Sequence, residues 1–245
     1  MDPRDHAFRG RRQAICSSQG PCWGLAWGPW PIAGTIPAYS MLMMTGFGAA
    51  WWLVRRRLLD LGVTTAAIRH MFLAALILGV IGARARYVQE RWATLVQIHG
   101  DAVWWVALDL DRGGAVWYGG LVLATLGVVA VARWHRVAVA PLADVIAPAV
   151  LVGLALGRVG CYFNGCCYGH VTTVPWAIPS PRDPGVLVHP TQWYEAIAAA
   201  VLGLGWWWWS RHPQRRVGVA GWVLVTYGIW RFLNEGWRGD RTRLP

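Results

Sequence analysis

PLADVIAPAVLVGLALGRVGCYFNGCCYG, residues 141–169, begins as an apolar run and changes character at Arg158. The run from 141 to 157 approaches the length needed to cross a hydrocarbon core of about 30 Å, so it reads as a membrane helix. An arginine at membrane depth costs about 2.5–3.5 kcal/mol on insertion scales, and its presence there points to use. Behind Arg158 come Gly160, Gly165 and Gly169, Asn164, and the cysteines 161, 166 and 167. Glycines let backbone approach a ligand closely, so this segment is not expected to be bulk lipid-facing helix.

The rest of the chain supports the membrane reading. Of its 245 residues, 56% are hydrophobic and 14% charged, too apolar for an ordinary soluble domain. Five further segments, near 38–54, 70–88, 115–133, 190–209 and 217–234, are long enough or nearly long enough to span. The expected fold is all-α: a polytopic transmembrane bundle of about six helices. Residues 1–36 form a tail or interfacial segment, 37–238 a single domain, and 239–245 a short C-terminal tail.

The formal charge of +11 comes entirely from arginine, because the chain has no lysine. In a membrane protein the counter-charge is expected to be anionic lipid rather than nucleic acid. Trp51 and Trp52 precede Arg55, Arg56 and Arg57, and Trp206 to Trp209 precede Arg211, which is the pattern of interfacial belts.

Three connections are short and basic: 55–69, 133–140 and 211–216. Two are longer and mixed, 89–114 and 158–189. The positive-inside rule places the basic ones in the cytoplasm and both termini outside, against which stand the arginines of the two tails, such as Arg9, Arg11, Arg12, Arg241 and Arg243. On the long-loop side, polar residues gather at one depth: Tyr39, Arg84, Arg86, Tyr118, Arg158, His189, Glu195, Arg231 and Glu235. Arg231 and Glu235 are four apart and can pair along one helical face. The arginine excess makes a positive pocket suited to phosphate, whose oxygens a planar guanidinium binds bidentately. A transporter is disfavoured, since its site is expected near the midplane, often with internal repeats.

No CxxC pair, haem-attachment site or zinc spacing appears, so neither a metal nor a cofactor is expected. Cys16 has no apolar run before it, so no cleavable or lipoprotein signal is expected. Cys161, Cys166 and Cys167 are open to three readings: packing of a glycine-rich turn, a disulfide between Cys161 and one of the other two, and metal ligation or thiol chemistry.

GRVGCYFNGCCYG (157–169) resembles the GRxGNFxNGExxG signature of the prolipoprotein diacylglyceryl transferase family. Five more motifs follow the family's order: PAYSMLMMTGF (37–47) around Tyr39, GARARYV (82–88), GGAVWYGG (113–120), HPTQWYE (189–195) and YGIWRFLNE (227–235). The resemblance implies a bacterial inner-membrane enzyme, facing the periplasm, that joins phosphatidylglycerol's diacylglyceryl group to a lipobox cysteine of a prolipoprotein. Glycerol 1-phosphate is released.

By residue, the resemblance puts Arg158 and Arg231 on the headgroup and leaving phosphate, with Glu235 beside Arg231. Arg84 comes next and Arg86 lies at an open motif position. Tyr39, Asn164, Glu195, Gly119, Gly120 and Gly169 join the substrate site. His189 is a candidate acid or base. The sequence departs from the family at Tyr118, which replaces the motif histidine, and at Cys161 and Cys166, which replace an asparagine and a glutamate. A phenol with a pKa near 10 is a poor base but can orient a phosphate or relay a proton. The family typically has seven spans, and none is read here after the sixth segment. These departures keep two alternatives open: a divergent paralogue that uses another acceptor or its own cysteines, and a non-catalytic anionic-lipid-binding protein.

Overall fold

The computed structural model describes residues 31–32, 36–99, 116–181, 183 and 185–239. The expectations for the first 30 residues, Cys16 and Cys22 among them, and for residues 240–245 lie outside these. Among the described residues, six α-helices dominate: α1 (Ala38–Asp60), α2 (Thr65–His99), α3 (Trp117–Trp134), α4 (Val139–Phe163), α5 (Thr191–Trp209) and α6 (Val219–Glu235). Two small antiparallel pairs complete them: β1 (Pro31–Ile32) with β2 (Ile36–Pro37), and β3 (Ile178–Pro179) with β4 (Leu187–Val188). The α2 segment Thr65–Ile98 and α4 are long and apolar enough to cross a membrane, with mean hydropathies of 1.9 and 2.1 in their most apolar windows.

Each expected apolar segment is helical, but several helices overrun the sequence-based bounds. Arg55, Arg56 and Arg57 belong to α1, which stops at Asp60, and α2 starts at Thr65, so most of the expected 55–69 connection is helix. Arginine is a good helix former, and charge does not end a helix. Likewise α2 continues past Arg86 to His99, and α4 carries Arg158, Gly160 and Cys161 inside its last two turns. Arg84 and Arg86 are therefore internal to a helix rather than at its end, and the segment after Arg158 starts as helix rather than loop.

The described residues fall into two compact units. One comprises those within Met1–Ala50, Ala147–Arg211 and Gly221–Pro245; the other comprises those within Trp51–Ile146 and His212–Ala220. In the first, α1 and α4 meet where Gly46 and Gly153 face each other: a Cβ on either would stand 2.7 or 2.9 Å from the other's carbonyl oxygen. Gly203 of α5 meets α4 in the same way, 3.0 Å from the Pro148 carbonyl. Between α5 and α6, the Trp206 indole donates to Thr226 Oγ1 at 3.1 Å and stacks on Trp222.

In the second unit, α2 and α3 pack along a glycine seam. A Cβ on Gly82 or Gly119 would collide with the other's carbonyl, and one on Gly120 would sit 2.8 Å from the Gly79 oxygen. At the N-terminus of α6, Asp144 accepts from the backbone N–H of Gly218 at 3.1 Å and of Ala220 at 2.7 Å. Buried positions include Ala67, Ala132, Ala149 and Ala199, whereas Phe47, Leu126, Ile197, Val201 and Phe232 are exposed. Small residues at helix contacts and large apolar ones outside are what packing within lipid requires.

Candidate functional site

The end of α4 and the turn after it carry the chemistry of the first unit. The α4 helix closes with Asn164 N–H donating to Gly160 O and Cys166 N–H to Cys161 O. Gly165 and Cys167 then take positive φ, 64° and 63°. A cysteine in this region is uncommon and costs roughly 1–3 kcal/mol, so the surrounding contacts must hold it there. They come from the first turn of α5: Thr191 Oγ1 donates to Cys167 O at 2.7 Å and Gln192 Nε2 to Cys166 O at 2.6 Å. Both side chains belong to HPTQWYE, and both residues are buried.

One turn further along α5, Glu195 is the hub of the buried network. Its carboxylate meets Arg158 Nη2 at 3.2 Å and accepts from the Tyr227 hydroxyl at 2.6 Å and from Asn234 Nδ2 at 3.3 Å. The Glu195 side chain is 3% exposed and that of Arg158 19%. Three helices thus converge on one carboxylate. Arg158 Nε, Gln192 Oε1, Asn234 Oδ1 and Trp230 Nε1 are buried with no hydrogen-bond partner. Buried polar atoms are rarely left so, and Arg158 Nε in particular asks for an additional polar ligand.

Arg231 pairs with Glu235 at 2.6 Å along α6, as its spacing suggests, and Arg238 Nε approaches the same carboxylate oxygen at 3.9 Å. Arg158 thus pairs with Glu195, while Arg231 and Arg238 both approach Glu235. The backbone after α6 returns to the turn, where His170 N–H donates to Trp237 O. His189 stands beside the same return, sharing a hydrogen bond of 3.1 Å between its Nδ1 and the Tyr194 hydroxyl, which also accepts from Trp176 at 2.6 Å. Tyr39, at the start of α1, lies alongside Gly160, within electrostatic reach of Arg158 and the three cysteines.

Those three cysteines are free thiols. Their sulfurs lie within 4.8 Å of one another, although their spacing offers no recognisable ligand pattern. Hydrogen bonds from Cys161 and Cys167 hold Cys166 below the usual thiol range, helped by Asn164 and Arg158 and opposed by burial.

Thus Tyr39, Arg158, Asn164, Gly169, His189, Glu195, Arg231 and Glu235 all belong to one unit. Arg84, Arg86, Tyr118, Gly119 and Gly120 belong to the other. Within it, Arg84 is buried over the Tyr87 ring at 5.1 Å, whereas Arg86 is exposed and bonded to Gln89 and Glu90, both at 2.9 Å. Two residues apart on a helix is about 200° around its axis, so the two arginines leave α2 on different faces. Tyr118 is exposed in the first turn of α3. The three glycines expected at the substrate are all points of close packing. Gly119 and Gly120 seat α3 on α2, and a Cβ on Gly169 would collide with the Trp237 carbonyl and come within 2.7 Å of the His189 Cβ.

The prolipoprotein diacylglyceryl transferase family model matches residues 30–244. The chain belongs to the prolipoprotein diacylglyceryl transferase family. A phosphatidylglycerol–prolipoprotein diacylglyceryl transferase of Geobacter sulfurreducens is 36% identical over 218 residues, covering 84% of this chain and 79% of the relative. A protein of the same name from Chromohalobacter salexigens is 34% identical over 198 residues, 80% of this chain and 73% of the relative. Another from Teredinibacter turnerae reaches 40% over 157 residues, 64% of this chain and 54% of the relative. Family membership and the apolar helices make this a membrane protein of a transferase family.

Gln192, Tyr227, Asn234 and Arg238 were not singled out from the sequence. The first three lie inside family-like motifs, HPTQWYE and YGIWRFLNE, where the charged residues drew attention first. Arg238 carried no signal beyond its proximity to Glu235.

Proposed function

We propose that this chain transfers the diacylglyceryl group of phosphatidylglycerol to the thiol of a lipobox cysteine in a prolipoprotein. It does so from the bacterial inner membrane, with about six spanning helices within residues 37–238 and the site facing the periplasm. The sulfur of the acceptor forms a bond to the terminal glyceryl carbon of the lipid, that carbon's bond to the phosphate oxygen breaks, and glycerol 1-phosphate leaves with the electron pair. The thiol loses its proton.

The observation that carries this reading is Arg158: one guanidinium nitrogen is anchored to buried Glu195, while its buried Nε has no partner. A cation fixed in place before the substrate arrives can meet charge developing on a leaving phosphate without reorganising. In this scheme Arg158 and Arg231 hold the phosphate, with Glu195 and Glu235 positioning them. Tyr39 and Asn164 meet the headgroup, and His189 moves a proton.

The test is mass spectrometry of a lipobox peptide incubated with the purified protein and phosphatidylglycerol. A diacylglyceryl mass gain on the peptide, absent with Arg158→Ala, is expected. No gain with folded, lipid-binding protein contradicts the proposal. The presence of Tyr118, Cys161 and Cys166 at departing motif positions favours, as a second reading, a divergent transferase with another acceptor; it predicts lipid turnover without peptide modification.

A further inference from the structure

We infer that Cys161, Cys166 and Cys167 form a three-thiolate site for one soft d10 metal ion of the zinc type, with its remaining coordination position open to an incoming thiol. The cluster is built by the fold rather than by sequence spacing. Cys161 projects from the last turn of α4, and the Gly165 and Cys167 conformations swing the next two thiols back toward it. Thr191 and Gln192 lock the Cys167 and Cys166 carbonyls.

The sulfurs lie within 4.8 Å of one another, with Cys166 and Cys167 at 3.5 Å. Three sulfurs at about 2.3 Å from a common tetrahedral ion stand about 3.8 Å apart, so the observed arrangement needs only side-chain adjustment. All three thiols are free and partly buried. Among the described residues the cluster has no carboxylate or imidazole ligand, and an all-thiolate set selects soft ions over magnesium or calcium. The Arg158 guanidinium acts electrostatically on Cys166 and Cys167 and offsets part of the negative charge such a site accumulates.

Among the described residues three protein ligands leave the fourth tetrahedral position open, as in catalytic rather than structural zinc sites. A thiol entering it would lose its proton to solvent and bind as thiolate. Joined to the transferase reading, on which only this last step rests, the site would present the acceptor cysteine as a nucleophile in a chain whose motif histidine is Tyr118.

The test uses the full-length protein in detergent, reduced, stripped of metal and titrated with Co2+ and then Zn2+. One Co2+ per chain with thiolate-to-cobalt charge-transfer absorption is expected. Zn2+ should displace it and shield residues 161, 166 and 167 from alkylation, read by peptide mapping on the unmutated chain. Absorption should persist in a Cys16→Ser/Cys22→Ser variant and vanish in Cys161→Ser/Cys166→Ser. A lipobox peptide with cysteine, but not with serine, should shift the cobalt spectrum.

Absence of thiolate absorption, its survival in Cys161→Ser/Cys166→Ser, or protection elsewhere overturns the metal site. Cobalt binding that ignores the cysteine peptide overturns the open position. A metal site that forms without lipid transfer leaves the inference standing and removes the transferase reading instead.

Discussion

Replacing Glu195 by alanine should be among the most damaging single changes in the protein, and its size follows from the buried network. The side chain is 3% exposed and serves three donors at 3.2, 2.6 and 3.3 Å. Removing one member of a buried ion pair costs about 3–5 kcal/mol, because the partner stays buried and unbalanced. Tyr227 and Asn234 each lose an acceptor, nominally about 1–3 kcal/mol apiece, but water entering the vacated space meets part of that need. A net loss of about 4 kcal/mol is expected, corresponding to a fall in Tm of about 8–16 °C for a chain of this size.

Thermal unfolding in detergent, followed by circular dichroism, measures it. Glu195→Gln keeps a hydrogen-bonding group without the charge and should lose about half as much. In a double-mutant cycle with Arg158→Met, the coupling should be about 2–3 kcal/mol. A Glu195→Ala loss below about 1 kcal/mol, or an additive cycle, would refute the argument that this carboxylate holds Arg158.

Four other substitutions probe separate parts of the account. Gly82→Val places a side chain against the Gly119 carbonyl, which no rotamer relieves; the folded yield of the variant, read by size-exclusion chromatography, should collapse. Asp144→Ala removes the acceptor for the N–H groups of Gly218 and Ala220 and should cost about 1–2 kcal/mol in thermal unfolding, as for a lost helix cap. Arg86→Ala breaks an exposed pair with Glu90 and should change stability by no more than about 1 kcal/mol, with turnover little affected. Tyr118→Phe removes the hydroxyl that stands where the family motif has a histidine, and turnover should fall about tenfold, equivalent to about 1.4 kcal/mol.

The helices were legible because apolar runs of spanning length have few alternatives in lipid, where every backbone polar group must be satisfied internally. Their ends were not. Arg55 to Arg57 and Arg84 to Arg86 read as boundaries, yet α1 and α2 continue through them, since arginine interrupts hydropathy without interrupting helical hydrogen bonding. In the site, the pairing of Arg231 with Glu235 followed from a spacing of four. The bond from Arg158 to Glu195 joins residues 37 apart in sequence, and only the fold brings them together. The three cysteines show the same limit: their convergence depends on positive φ at Gly165 and Cys167 and on side chains from α5. Gly119, Gly120 and Gly169 were noticed for their motifs, but packing accounts for them sterically. Sequence can announce that a side chain must be absent without saying whether a ligand or a helix fills the space.

The most direct measurement is glycerol phosphate release from headgroup-labelled phosphatidylglycerol, with matched lipobox peptides carrying cysteine or serine at the acceptor position. The account predicts release equimolar with peptide lipidation, present with the cysteine peptide, absent with the serine peptide, and lost in Arg158→Ala. Release that is indifferent to the acceptor, or lipidation that survives in Arg158→Ala, would contradict it.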